Sequence, residues 1–184
     1  MNKIKRFATI GAIVASAVLV SPLAFAQSLW HGTAFGMTVD QVQAAVPEAS
    51  PATNKNPGNG IRFNSQFAPE LLHVDEVELV NHKFSGSFYF LNDCLAQVTL
   101  HIKDGGSYDT ASAYDNLVTA LRAKYGQELS AKNKVIGSMV TRDTEWISGR
   151  TNINLHYLKM GADDQKPLLN VNYQVRVAGD ADKL

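Results

Sequence analysis

Residues Asp109 to Gly126 read DTASAYDNLVTALRAKYG. Tyr114, Leu117, Val118, Leu121 and Tyr125 recur at helical spacing, which gathers them on one face to lie against a sheet. Asp109 is placed to cap the start. Lys124 falls in the last turn, where a cation suits the helix dipole, and Gly126 is the residue type that accepts the left-handed conformation closing a helix. The helix also divides the chain, because the segments on either side of it show the same order of elements.

On the N-terminal side, MNKIKR carries three cations and runs into the apolar stretch Phe7 to Val20, followed by Pro22 and the small residues around Ala26. This is the pattern of a secretory signal peptide, so residues 1–26 are expected to be removed after Ala26. The apolar run is short for a bilayer span and no cysteine stands at the cleavage position, so no membrane anchor is expected after cleavage. Of the 184 residues, 158 then remain, enough for one domain with its own core. Export carries the product to a periplasmic or extracellular setting.

The whole chain balances 17 basic against 17 acidic residues. Residues 1–26 contain Lys3, Lys5 and Arg6 and no acid, so the remainder has 14 basic against 17 acidic residues and a net charge of −3. No basic stripe for nucleic acid and no lysine run for an anionic membrane is present. The lone cysteine, Cys94, precludes an intramolecular disulfide, and LNDCLAQV reads as a structural thiol at a strand start.

Thr38 followed by Gln41 forms a capping box for a short helix over Val39, Val42 and Val46 that Pro47 ends, with Met37 stapling onto Val42. Ala49 to Gly60 is rich in Pro, Asn and Gly and reads as a surface loop. Period-two alternation then begins at Val77 and Leu79. It continues through Phe84, Gly86, Phe88 and Phe90, turns at Asn92-Asp93, and resumes with Val98, Leu100 and Ile102. After the central helix, Met139 to Ile147 forms a strand. Ile153, Leu155 and Tyr157 mark the next, and Leu169 to Val177 the last, with GDADKL as a terminal tail.

The expected fold is α+β, with two tandem helix-plus-three-strand units, halves about 33–106 and 107–178, in one antiparallel-sheet domain over 27–184 with its helices on one face. Apolar strand positions would pack under the helices. The opposite positions, Gln97, Thr99, His101, Asn152, Asn154, His156, Asn170, Asn172, Gln174 and Arg176, would then form an uncovered face that is polar and nearly uncharged. Four asparagines in two strands run against strand propensity, which points to selection for something other than strand formation. Tyr89, His101, Arg142, Trp146, Asn154, His156, Asn172, Gln174 and Arg176 are the candidate partner-binding residues, since aromatic and arginine side chains anchor interfaces and amides supply adaptable hydrogen bonds.

FGMTVDQVQAAVP is similar to the G-M-(S/T)-x-x-(Q/E)-V helix start of small bacterial envelope proteins of the barrel-assembly accessory lipoprotein type. LxxKYG, a lone Trp, an I-x-L-x-Y strand and a V-x-Y strand resemble small exported αβ proteins. The tandem element order resembles the β-lactamase inhibitory protein. This chain departs from the first in lacking a lipidated cysteine and from the last in lacking cysteine pairs. The resemblance implies a non-catalytic domain that binds another protein of the cell envelope or outside the cell, as an inhibitor, immunity factor or assembly accessory.

Motifs for chemistry are not found. His31, His73, His82, His101 and His156 make no metal-binding spacing, though His101 and His156 would approach each other if their strands were neighbours. No G-x-S-x-G elbow or phosphate loop is present, and Asp75-Glu76-Val77-Glu78 reads as a solvated strand edge. No enzyme, metal or cofactor is expected. The alternative is a small-ligand or metal-binding periplasmic protein, with a pocket between helices and sheet lined by Phe84, Phe88, Phe90 and Tyr114.

Overall fold

The computed structural model describes residues 27–53, 59–63, 65–103, 106–161 and 166–176. Residues 1–26, expected to be a signal peptide, and the whole of the terminal tail GDADKL lie outside the described residues. The central helix, α2, spans Ser107–Tyr125. It begins before Asp109, with Gly106 at the N-cap position and no side-chain cap; Asp109 sits in the first turn. Gly126 closes it at φ 84°, a conformation that favours glycine, and its N–H donates to the Arg122 carbonyl at 2.9 Å. Ala113, Tyr114, Leu117 and Leu121 are buried on its inner face, flanked by Val118 and Tyr125.

The short helix α1, Val39–Ala45, keeps the expected capping box: the Thr38 N–H donates to Gln41 Oε1 at 2.9 Å and the Gln41 N–H to Thr38 Oγ1 at 3.4 Å. Nine strands accompany the two helices among the described residues: β1 Ser50–Pro51, β2 Gly60–Phe63, β3 Gln66–Leu79, β4 His82–Leu91, β5 Cys94–Ile102, β6 Ser130–Ile136, β7 Met139–Ser148, β8 Thr151–Lys159 and β9 Leu168–Val175. All pair antiparallel in the order β1-β3-β4-β5-β9-β8-β7-β6, with β2 added to β3 off this path. The last strand is therefore central. β9 joins the two meanders by pairing with β5 on one side and β8 on the other.

This corrects the expectation of two helix-plus-three-strand units. The molecule is predominantly antiparallel β-sheet, with five strands before α2 and four after it. Two strands account for the main misreading. β3 is 14 residues long and starts well before Val77, but bulges between Glu70 and Leu72 and between Val74 and Val77 break its alternation. β6, SAKNKVI, is exposed along nearly its whole length, so burial never imposed a hydrophobic period on it.

One face of the sheet is apolar. Phe84, Phe88, Phe90, Val98, Leu100, Ile153, Leu155, Tyr157, Val171 and Tyr173 join Val42, Leu117 and Leu121 of the helices and Val46 at the end of α1 in a single core. Leu29 and Trp30 add to it from the N-terminal segment, where Thr151 Oγ1 donates to the Ser28 carbonyl at 2.7 Å. Among the described residues no helix is long and apolar enough to cross a membrane.

Candidate functional site

Strand alternation and the β5–β9–β8 register carry the polar side chains into cross-strand rows. One row runs His73, Ser87, Thr99, Asn172, Asn154, Glu145 across six strands. A second runs Ser85, His101, Asn170, His156, Asp143, and a third Tyr89, Gln97, Gln174, Asn152. Side chains within and between these rows bond to one another. Gln97 Nε2 donates to Thr99 Oγ1 at 2.9 Å, Thr99 Oγ1 to Asn172 Oδ1 at 2.9 Å, and Asn172 Nδ2 to Asn154 Oδ1 at 3.3 Å. The result is a ladder held in fixed orientation by the sheet, but Gln97 and Thr99 are buried, against the expectation that they lie on the uncovered face, and Asn172 and Asn154 alone of the four are half-exposed.

At the β3–β4–β5 end this face deepens into an open cavity of about 420 Å³, lined among others by Asn59, Glu70, His73, Ser87, Tyr89 and His101. Glu70 is the hub. Its carboxylate accepts from Asn59 Nδ2 at 2.7 Å and from His73 Nδ1 at 2.8 Å, and the Glu70 side chain is largely buried. His101 Nδ1 meets Asn170 Oδ1 at 2.9 Å. Because an amide oxygen only accepts, Nδ1 carries the proton and a neutral ring keeps Nε2 as an acceptor. Burial lowers the His101 pKa, opposed by the Asn170 bond and the Glu70 charge, so the neutral ring is favoured. Burial likewise raises the Tyr89 hydroxyl.

No family model matches the chain, and neither a curated protein nor a solved structure matches it. The resemblances noted above therefore rest on their short motifs.

Of the sequence-selected residues, Tyr89, His101, Asn154, His156, Asn172 and Gln174 share the polar face. Tyr89 is only 7% exposed and joins Phe63, Ala68, Ala96 and Val175 in a small second cluster, so it walls the cavity rather than projecting from it. Arg176 follows the end of β9, exposed, with its N–H bonded to the Arg150 carbonyl at 2.7 Å. Two residues lie elsewhere. Arg142 and Trp146 pair with Tyr157 and Ile153 on the helix side of the sheet. Trp146 is 1% exposed, with Nε1 donating to the Gly126 carbonyl at 3.1 Å. The Arg142 guanidinium lies over the rings of Tyr114 and Tyr157, at 5.5 and 5.6 Å, and reaches Asp115 at 3.4 Å.

His101 and His156 do not meet: both pair with Asn170, on opposite sides of β9, a separation of roughly 10 Å at ordinary strand spacing. His156 instead bonds Asp143 at 2.6 Å. Among the described residues no three His, Cys, Asp or Glu side chains group as a metal site would require. The pocket expected between helices and sheet is filled, since Phe84, Phe88 and Phe90 are at most 1% exposed and Tyr114 packs edge-on to Tyr157 with its hydroxyl on Thr144 at 2.6 Å. Glu70, His73, Ser87 and Asn59 are not among the partner-binding candidates read from the sequence. The bulge that brings Glu70 and His73 to one face leaves no periodic trace.

Proposed function

We propose that this chain is an exported, non-catalytic binding domain that takes another protein on the uncovered polar face of its sheet, as an inhibitor, immunity factor or envelope-assembly accessory would. The observation that carries this reading is the half-exposed pair Asn172 and Asn154, whose amides are set from behind by the buried Thr99 and Gln97 in one hydrogen-bonded ladder. Amides and hydroxyls oriented beforehand by neighbours lose little side-chain entropy on binding, and their lack of charge keeps desolvation cheap. Half-exposed positions Asn152, Asn154, Asn170, Asn172 and Gln174 retain further donors and acceptors toward solvent. The motif resemblance to envelope accessory and inhibitory proteins agrees with this.

The test is site-specific photo-crosslinking in the native host, with the photoreactive residue at Asn154, Gln174 or the helix-side position Asn116. A discrete protein adduct from the first two and none from Asn116 is expected. Adducts from Asn116 alone would overturn the reading.

The cavity beside Glu70 and His73 supports a second reading, a small polar ligand held at the end of the face. Native mass spectrometry of protein purified from its own host separates the two. A retained small molecule, lost in Glu70→Ala, favours the cavity.

A further inference from the structure

Among the described residues the sheet ends at β6, and the outer edge of β6 is open. This strand pairs, among the described residues, only with β7, through seven consecutive partners from Ser130↔Glu145 to Ile136↔Met139 without a register shift. The other end of the sheet is blunted. There β1 is two residues long, Pro51 has no N–H to offer, and the adjoining β3 is bulged. Along a regular edge every second residue turns its N–H and C=O away from the sheet, so β6 presents a row of unpaired backbone donors and acceptors.

The side chains of β6 are sorted by alternation. Lys132 and Lys134 stand opposite Asp143 and Thr141 on the uncovered face; Ala131, Asn133 and Val135 stand opposite Thr144, Arg142 and Val140 on the helix side. All are exposed, Val135 at 63% and the adjoining Ile136 at 52%. Neither lysine makes an ion pair among the described residues, and the nearest acid across the ladder, Asp143, is engaged by His156 at 2.6 Å. These charges select the occupant. A second copy pairing antiparallel about the middle of β6 would set Lys132 against Lys132, or Lys132 against Lys134, and like charges directly opposite destabilise a ladder.

We propose that the open edge of β6 takes an extended segment of another protein as an added strand. Its alternate side chains are acidic toward Lys132 and Lys134, and small or apolar toward Ala131 and Val135. Backbone hydrogen bonds supply affinity and the alternating side chains supply selectivity. This holds whether or not the amide face takes a partner.

Two eight-residue probes test it, one alternating glutamate with valine and one alternating lysine with valine, each titrated into the purified chain and followed by calorimetry and amide hydrogen exchange. The glutamate peptide is expected to slow exchange on β6 and to bind about fivefold or more tighter than the lysine peptide. Lys132→Glu with Lys134→Glu, both at exposed positions, is expected to reverse that preference. The proposal is overturned if the glutamate peptide leaves β6 exchange unchanged, if both peptides bind alike, or if the double variant keeps the original preference. A β6-mediated dimer in solution would also overturn it. Should the variant not fold, the two peptides against the unaltered chain still decide.

Discussion

Glu70 and His73 are three residues apart on one strand, yet they face the same side and meet at 2.8 Å. On a regular strand, residues three apart point to opposite faces; the bulge between Glu70 and Leu72 resets the parity and places Glu70 beside Tyr89 and His73 beside Ser87. Removing the carboxylate leaves the Asn59 amide and the His73 N–H without their acceptor. Glu70→Ala is therefore expected to cost about 1–3 kcal/mol of stability. Urea denaturation measures this, and an unchanged midpoint would contradict the role of Glu70 as hub.

Arg142 separates stability from recognition. Its guanidinium is stacked on Tyr114 and Tyr157 and paired with Asp115 on the helix side. Arg142→Ala is expected to lower stability by about 1–2 kcal/mol, since both ring contacts and a partly exposed ion pair are lost. Partner crosslinking through Asn154 should persist, because the polar face is untouched. Loss of crosslinking in a folded Arg142→Ala protein would show that the helix side contributes to recognition.

Trp146 tests the join between helix and sheet. Its indole N–H bonds the carbonyl of Gly126 at the end of α2, and the ring is fully buried. Trp146→Phe removes that bond and leaves unfilled volume, an expected loss of about 2–4 kcal/mol by chemical denaturation. A loss under about 0.5 kcal/mol, within the range of an ordinary surface substitution, would mean the site relaxes around the smaller ring.

His101 sets a pH dependence of known sign. Burial holds its pKa below the ordinary 6.5, so the unfolded chain takes up the proton more readily than the folded one. The contribution of neutral His101 is present above the unfolded value and is lost as pH falls from there toward the lowered folded pKa. Between about pH 7.5 and about pH 5, the unaltered chain is expected to lose more stability than His101→Gln. Equal losses in the two proteins, measured by denaturant titration at both pH values, would remove His101 as the cause.

Much of the polar face was legible because β8 and β9 alternate cleanly, buried and half-buried by turns, and alternation alone assigns Asn154, His156, Asn172 and Gln174 to one side. The phase of β7 was not legible. In MVTRDTEWIS both sets of alternate positions mix polar and apolar residues, so only the pairing of Arg142 with Tyr157 and Trp146 with Ile153 shows that these two lie under the helix. β6 was missed because an exposed strand has no burial to impose a period on its sequence.

The sequence by itself determined both helices, the capping box at Thr38, the turn at Asn92-Asp93 and the division of β8 and β9 into apolar and polar faces, since each rests on interactions within a few residues. Only the tertiary structure decided that β9 inserts between β5 and β8, that a bulge joins Glu70 to His73, and that β6 ends the sheet with an open edge. Strand neighbours are chosen by packing between distant segments. Local periodicity carries no record of that choice.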